Sequence, residues 1–143
     1  MFVCYRPPDR RSYSYLLGVY LGDGYVDVYG RGRGSQLVIA CDASYPEQRE
    51  IVDAFPREFL RGLIHSDGCR TVNRFKTKLP SGSVAEYAYP RYFFSNLSAD
   101  IRGLFCEYCD RLGIRWTQSN HRNISVSHRH SVAALDEFIG PKR

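Results

Sequence analysis

The sequence predicts a mixed α/β fold, α+β in layout, in which short helices separate pairs of antiparallel strands. Three observations carry this. Two apolar segments, 14–22 and 57–67, read as buried helices, and each ends in Asp-Gly. Each is followed by residues that alternate with a period of two, the spacing of half-buried strands. From residue 57 onward the order reads helix, strand, strand, helix, strand, strand, helix, and residues 14–42 repeat its first three elements.

The elements follow in order. Residues 14–22 (SYLLGVYLG) mix apolar and small side chains and end near Asp23-Gly24. Val26 and Val28 then face one way, with Tyr25, Asp27, Tyr29 and Arg31 opposite. GRGRGS at 30–35 reads as a hairpin turn, and Leu37, Ile39 and Cys41 restore the alternation. Residues 46–55 form a helix opened by Pro46, interrupted by Pro56. Residues 57–67 form the second apolar helix. Across 69–78, Arg70, Val72, Arg74, Lys76 and Lys78 share one strand face. Residues 84–95 are aromatic and strand-like, and Pro90 implies an edge or a bulge. Residues 97–112 form an amphipathic helix with Ser98 as N-cap; Ile101, Leu104, Phe105, Tyr108 and Leu112 give its stripe and Gly113 stops it. Short strands follow near 114–118 and 122–127. A last helix covers 131–139, with Ser131 as cap and Gly140-Pro141 as terminator.

The 143 residues carry 20 Lys and Arg against 15 Asp and Glu, a net charge of +5. The excess is uneven. Residues 1–56 hold six basic against seven acidic side chains, and residues 57–143 hold 14 against eight. A basic half suits a polyanion such as nucleic acid; a solvated surface is the bland alternative. No apolar run approaches the roughly 18 residues of a membrane span, and MFVCYRPPDRR lacks the apolar core of a secretory signal. Five cysteines (4, 41, 69, 106 and 109) suit reduced thiols in a cytosol. Cys106 and Cys109 form one CxxC without a partner pair. Joined with His121, His128 and His130 they match no ordinary zinc module, so they read as helical thiols of which at least one packs inward.

The chemistry lies in the paired helices. Leu16-Leu17-Gly18-Val19-Tyr20-Leu21-Gly22-Asp23-Gly24 aligns with Leu60-Arg61-Gly62-Leu63-Ile64-His65-Ser66-Asp67-Gly68. Gly18 and Gly22 share a helix face, as do Gly62 and Ser66, and small residues four apart let two backbones approach closely. Packed about a pseudo-twofold axis, the helices bring Asp23 and Asp67 side by side. Adjacent carboxylates repel unless neutralised. A divalent cation does this, and Mg²⁺ is commonly held by one or two carboxylates plus phosphate oxygens. Such a centre beside a basic sheet is a setting for phosphodiester hydrolysis. A single Asp-Gly after an apolar helix is more often a plain C-terminal turn; two copies with matched spacing argue against that reading.

These segments resemble the paired motif of the LAGLIDADG homing endonucleases, with the family's acidic residue at Asp23 and at Asp67. FLRGLIHSDGCR, YPRYFFSN, SADIRGLFCEYCDRLGIRWTQSN and ISV…SVAALDEFIG resemble the second half of bacterial single-chain members. The resemblance implies a curved antiparallel sheet forming a saddle over double-stranded DNA, with the motif helices as the interface between halves. It implies a metal site at Asp23 and Asp67 aided by the carbonyls of Gly22 and Ser66, with Mg²⁺ (or Mn²⁺ or Ca²⁺) as cofactor, and a bacterial, cytoplasmic, DNA-associated enzyme. Single-chain members have much more chain between their motifs than the 44 residues separating Asp23 from Asp67. The chain therefore reads as a truncated first repeat (1–45), a linker helix (46–56) and a complete second repeat (57–143). That shape is compatible with a monomer, or with a homodimer in which a second chain completes the saddle. A DNA-binding protein that reuses the fold without useful cleavage is the alternative.

For DNA contact, Arg70, Arg74, Lys76 and Lys78 form a basic stripe on a ribbon that fits a major groove, the alternative being a solvated strand face. Arg31 and Arg33 at the GRGRGS turn could reach phosphates, and Gln118, Asn120 and Arg122 lie in a polar turn between the late strands. Arg70 is the nearest candidate in sequence for a basic group beside the metal. Trp116 and most tyrosines read as core or sheet packing, and His65 as partly exposed on its helix.

Overall fold

A computed structural model describes residues 9–22 and 46–141. The expected first hairpin, with Asp23, Arg31 and Arg33, lies outside the described residues. The elements are α1 (Arg10–Gly22), α2 (Pro46–Ala54), α3 (Pro56–Asp67), β1 (Gly68–Lys78), β2 (Val84–Ser95), α4 (Ala99–Arg111), β3 (Thr117–Gln118), β4 (Asn123–Val126) and α5 (Arg129–Asp136). The described strands form one antiparallel sheet in the order β1-β2-β4-β3.

Local chemistry sets the boundaries. α1 starts four residues earlier than its apolar run, because the Asp9 carboxylate accepts from the Ser12 backbone N–H (3.1 Å) and the Ser12 hydroxyl (2.7 Å), an acidic N-cap. Pro56 interrupts as expected: α2 ends at Ala54, and the proline opens α3 at its first position. Ser98 caps α4 by accepting from Ile101 N–H at 3.4 Å. Gly113, at φ +69°, ends that helix in a left-handed conformation natural to glycine.

Ser131 is not the cap of α5. His128 holds that position, and the buried Ser131 hydroxyl accepts from the Arg115 N–H at 2.8 Å, tying α5 to the segment before β3. The helix proper stops at Asp136. Pro90 introduces no bulge: the β1–β2 ladder runs unbroken from Gly68↔Phe94 to Lys78↔Val84. Among described strands, β4 pairs with β2 only from Tyr92 onward. Pro90 therefore has β1 as its one described neighbour, and the N–H it lacks is not needed on the other side.

The core sits between the sheet and α3, α4 and α5. Tyr92 and Phe94 of β2 and Ile124 and Val126 of β4 point into it. Phe94 stacks on Phe105 of α4 with centroids 4.5 Å apart, and Phe59 of α3 meets Tyr108 edge-on at 4.9 Å. The Tyr108 hydroxyl donates to Asp53 of α2 at 2.6 Å. Around that bond, Arg49 and Arg111 pair with Asp53 and Glu107 and fasten α2 to α4. Both CxxC thiols lie on α4, with Cys109 fully buried. Burial pushes both thiols up, Cys106 to about 11. They are protonated packing groups.

Candidate functional site

The paired helices cross at their glycines. A Cβ on Gly18 would run into the backbone of Phe59, of Leu63 (N at 2.9 Å) and of Gly62 (Cα at 3.0 Å). A Cβ on Gly62 would meet the backbone of Tyr15, of Val19 (N at 2.7 Å) and of Gly18 (Cα at 2.9 Å). Each glycine thus meets the residues three before and one after the other, the signature of a twofold-related contact. The helices run parallel. Their N-terminal ends are joined by the Ser14 hydroxyl donating to the Phe55 carbonyl (2.8 Å), by Arg11 pairing with Glu58 (3.4 Å), and by Arg11 over the Phe55 ring. The Ser14–Phe55 and Arg11–Glu58 pairs are themselves related by the same pseudo-twofold exchange of positions. Gly22 and Ser66 each lie four residues beyond the crossing, about 6 Å along the axis, so both helices end on the same side.

Asp67, the last residue of α3, is half-buried and accepts from the Asn96 side-chain amide at 2.8 Å. Asn96 is itself held. Its side-chain oxygen accepts from Ser98 N–H (2.8 Å), its backbone N–H donates to the Arg122 carbonyl (3.0 Å), and its carbonyl accepts from Arg102 (2.6 Å). Sequence reasoning misses Asn96; its one signal is its place just before the Ser98 cap. Ser66 turns its hydroxyl back to the Leu63 carbonyl at 2.9 Å. A carboxylate at a helix C-terminus adds to the negative end of the helix dipole, a potential that favours a cation.

His65 faces away from this end. Its Nε2 contacts the Ile139 carbonyl at 2.8 Å and its Nδ1 the Tyr15 hydroxyl at 3.0 Å. A carbonyl only accepts, so Nε2 carries a proton. Together with Arg61, which donates to the same carbonyl at 3.1 Å, His65 locks the chain after α5 to the motif helices.

The register decides which side of the sheet the basic stripe takes. Tyr92 and Phe94 point into the helical core, and the register pairs them with Arg70 and Gly68. Arg70, Arg74, Lys76 and Lys78 therefore lie on the helix side of the sheet. Arg70 is held by Asp136 of α5 through two bonds (2.8 and 3.1 Å), with Tyr92 also donating to that carboxylate. Its guanidinium is committed to α5 rather than to the acidic end of α3. Arg74, Lys76 and Lys78 are exposed and make no ion pair with another described residue. Gln118, Asn120 and Arg122 are drawn together, but by the turn itself. Asn120 accepts from the Arg122 and Asn123 N–H groups, and Gln118 donates to the Asn120 carbonyl.

The open side of the β1–β2 ribbon carries Thr71, Asn73 and Phe75 opposite Arg91, Tyr89 and Tyr87. No family model matches the chain, and no curated protein matches it.

Proposed function

We propose that this chain is a metal-dependent endonuclease for double-stranded DNA, of the LAGLIDADG type that its motif helices resemble, with a shortened first repeat. The parallel crossing at Gly18 and Gly62 carries the reading, because it ends both motif helices on one side and sets Asp67 there on a fixed support. Asp23, one residue past Gly22, would supply the second carboxylate.

The oxygens at the end of α3 fit a hard cation of the Mg²⁺ class, Mn²⁺ and Ca²⁺ included. Asp67 and the Ser66 carbonyl would hold it, with Asp23 and the Gly22 carbonyl as their counterparts. When bound, such a cation supplies an activated water and offsets charge developing on the phosphate. The protein's own part is orientation. Asn96 fixes the plane of the Asp67 carboxylate, and the glycine crossing fixes the spacing of the helix ends. Duplex DNA would lie across the open side of the ribbon, with Arg74, Lys76 and Lys78 adding to the field from the far side.

A supercoiled plasmid carrying the chain's own genomic surroundings tests this. Nicking or linearisation with Mg²⁺ but not with EDTA, abolished by Asp23→Asn and by Asp67→Asn, is expected. Duplex binding indifferent to metal, with no cleavage by the unmodified chain, would refute it and leave a DNA-binding protein that reuses the fold.

A further inference from the structure

Three rings stand on the open side of the ribbon. Phe75, Tyr87 and Tyr89 have centroids 5.4, 5.7 and 6.1 Å apart, with planes within 30° of parallel. They are 44%, 36% and 49% exposed. Aromatics at a sheet surface usually end up covered; these share one orientation and remain in solvent. We infer that they form a stacking platform for unpaired bases of single-stranded nucleic acid, a ligand distinct from the duplex proposed above.

The occupant follows from shape and charge. Near-parallel rings extend most readily by another flat π system. In a duplex the base faces are stacked on one another and only their edges are offered; in a single strand the faces are free. The flanking groups are polar rather than aliphatic: Thr71, Asn73 and Arg91 share the side. Arg91 is the basic group on this side, and the exposed Arg74, Lys76 and Lys78 on the opposite face add to a positive field along the ribbon, which suits a phosphate chain. An apolar protein partner would gain little from that surround.

Fluorescence anisotropy with the full chain tests this, using labelled oligothymidylate, oligouridylate, an abasic strand of equal length and a duplex of equal length. The base-bearing single strands are expected to bind at least about tenfold tighter than the abasic strand. The oligothymidylate and oligouridylate arms separate DNA from RNA. Tyr89→Ala is expected to remove about tenfold of that preference without changing abasic binding, while Tyr89→Phe retains it. Lys76→Ala should weaken all strands alike. Equal binding of base-bearing and abasic strands by the unmodified chain overturns the inference without any variant. A preference for the duplex over single strands overturns it too, as does self-association that disappears in Tyr89→Ala. Metal-dependent plasmid cleavage is read separately, so failure of the platform is distinguishable from failure of the endonuclease reading.

Discussion

Replacing Gly62 by alanine places a methyl group where the α1 backbone already is. The new Cβ would sit 2.7 Å from Val19 N and 2.9 Å from Gly18 Cα, against 3.4 Å or more for ordinary contact. Because these atoms are backbone, no side chain can rotate aside, and the helices must separate to admit the methyl. Overpacking of this kind costs about 1–3 kcal/mol, and backbone contact argues for the upper part of that range. Alanine returns about 0.8–1 kcal/mol of helix propensity. The net expectation is a loss of about 1–2 kcal/mol. For a chain near this size that lowers the melting temperature by about 3–8 °C. Gly103, exposed on α4 with nothing within 4 Å of the point a methyl group would occupy, is the control. There the same change is expected to stabilise by about 0.4–1 kcal/mol. Thermal and urea unfolding of both variants measure the difference. A Gly62→Ala chain as stable as the unmodified one would show that the helices do not meet at this glycine.

Three other outcomes are expected. Asn96→Ala removes the amide that orients Asp67 and should lower metal-dependent cleavage at least tenfold, with a stability loss of about 1–2 kcal/mol from the half-buried bonds it leaves unmade; unchanged cleavage would remove Asn96 from the site. The Asp136 carboxyl is held below its ordinary value, first by its bond to Arg70 and then by Tyr92. Its contribution is therefore present above the ordinary carboxylate range and lost as pH falls through it. Arg70→Met should flatten the acid limb of the stability profile, and an unaltered limb would show that the pair contributes nothing. Alkylation of the native chain, mapped by mass spectrometry, should modify exposed Cys69 readily, Cys106 slowly and Cys109 only on unfolding; labelling of Cys109 as fast as Cys69 would contradict its burial in the core.

Local signals read well wherever a boundary rests on one or two residues. Ser98, Gly113 and the small-residue spacing of Gly18 and Gly62 each do what their chemistry requires. The last is the most demanding, since the contact joins residues 44 apart in sequence. Alternation also identifies correctly that Arg70, Arg74, Lys76 and Lys78 share a face. It does not say which face, because a period of two is symmetric about the sheet. Tyr92 and Phe94 decide that question through the cross-strand register, which is a tertiary fact. Ser131 misleads for a related reason. A serine before an apolar run suits a cap, but a more distant partner, Arg115 N–H, takes its hydroxyl. Asn96 shows in the sequence only by its place before the Ser98 cap, because a single amide has no periodicity and no fixed spacing from Asp67.

The β1–β2 ribbon has a consequence for how this chain can change over generations. Among the described residues, helices cover it only near Gly68, Tyr92 and Phe94, and beyond them nearly every residue of both strands is exposed. Substitutions from Thr71 to Lys78 and from Val84 to Tyr89 therefore leave the core as it is. Sequence can drift there while the motif helices remain under tight steric constraint at Gly18 and Gly62, so the ribbon surface can change without first requiring surplus stability.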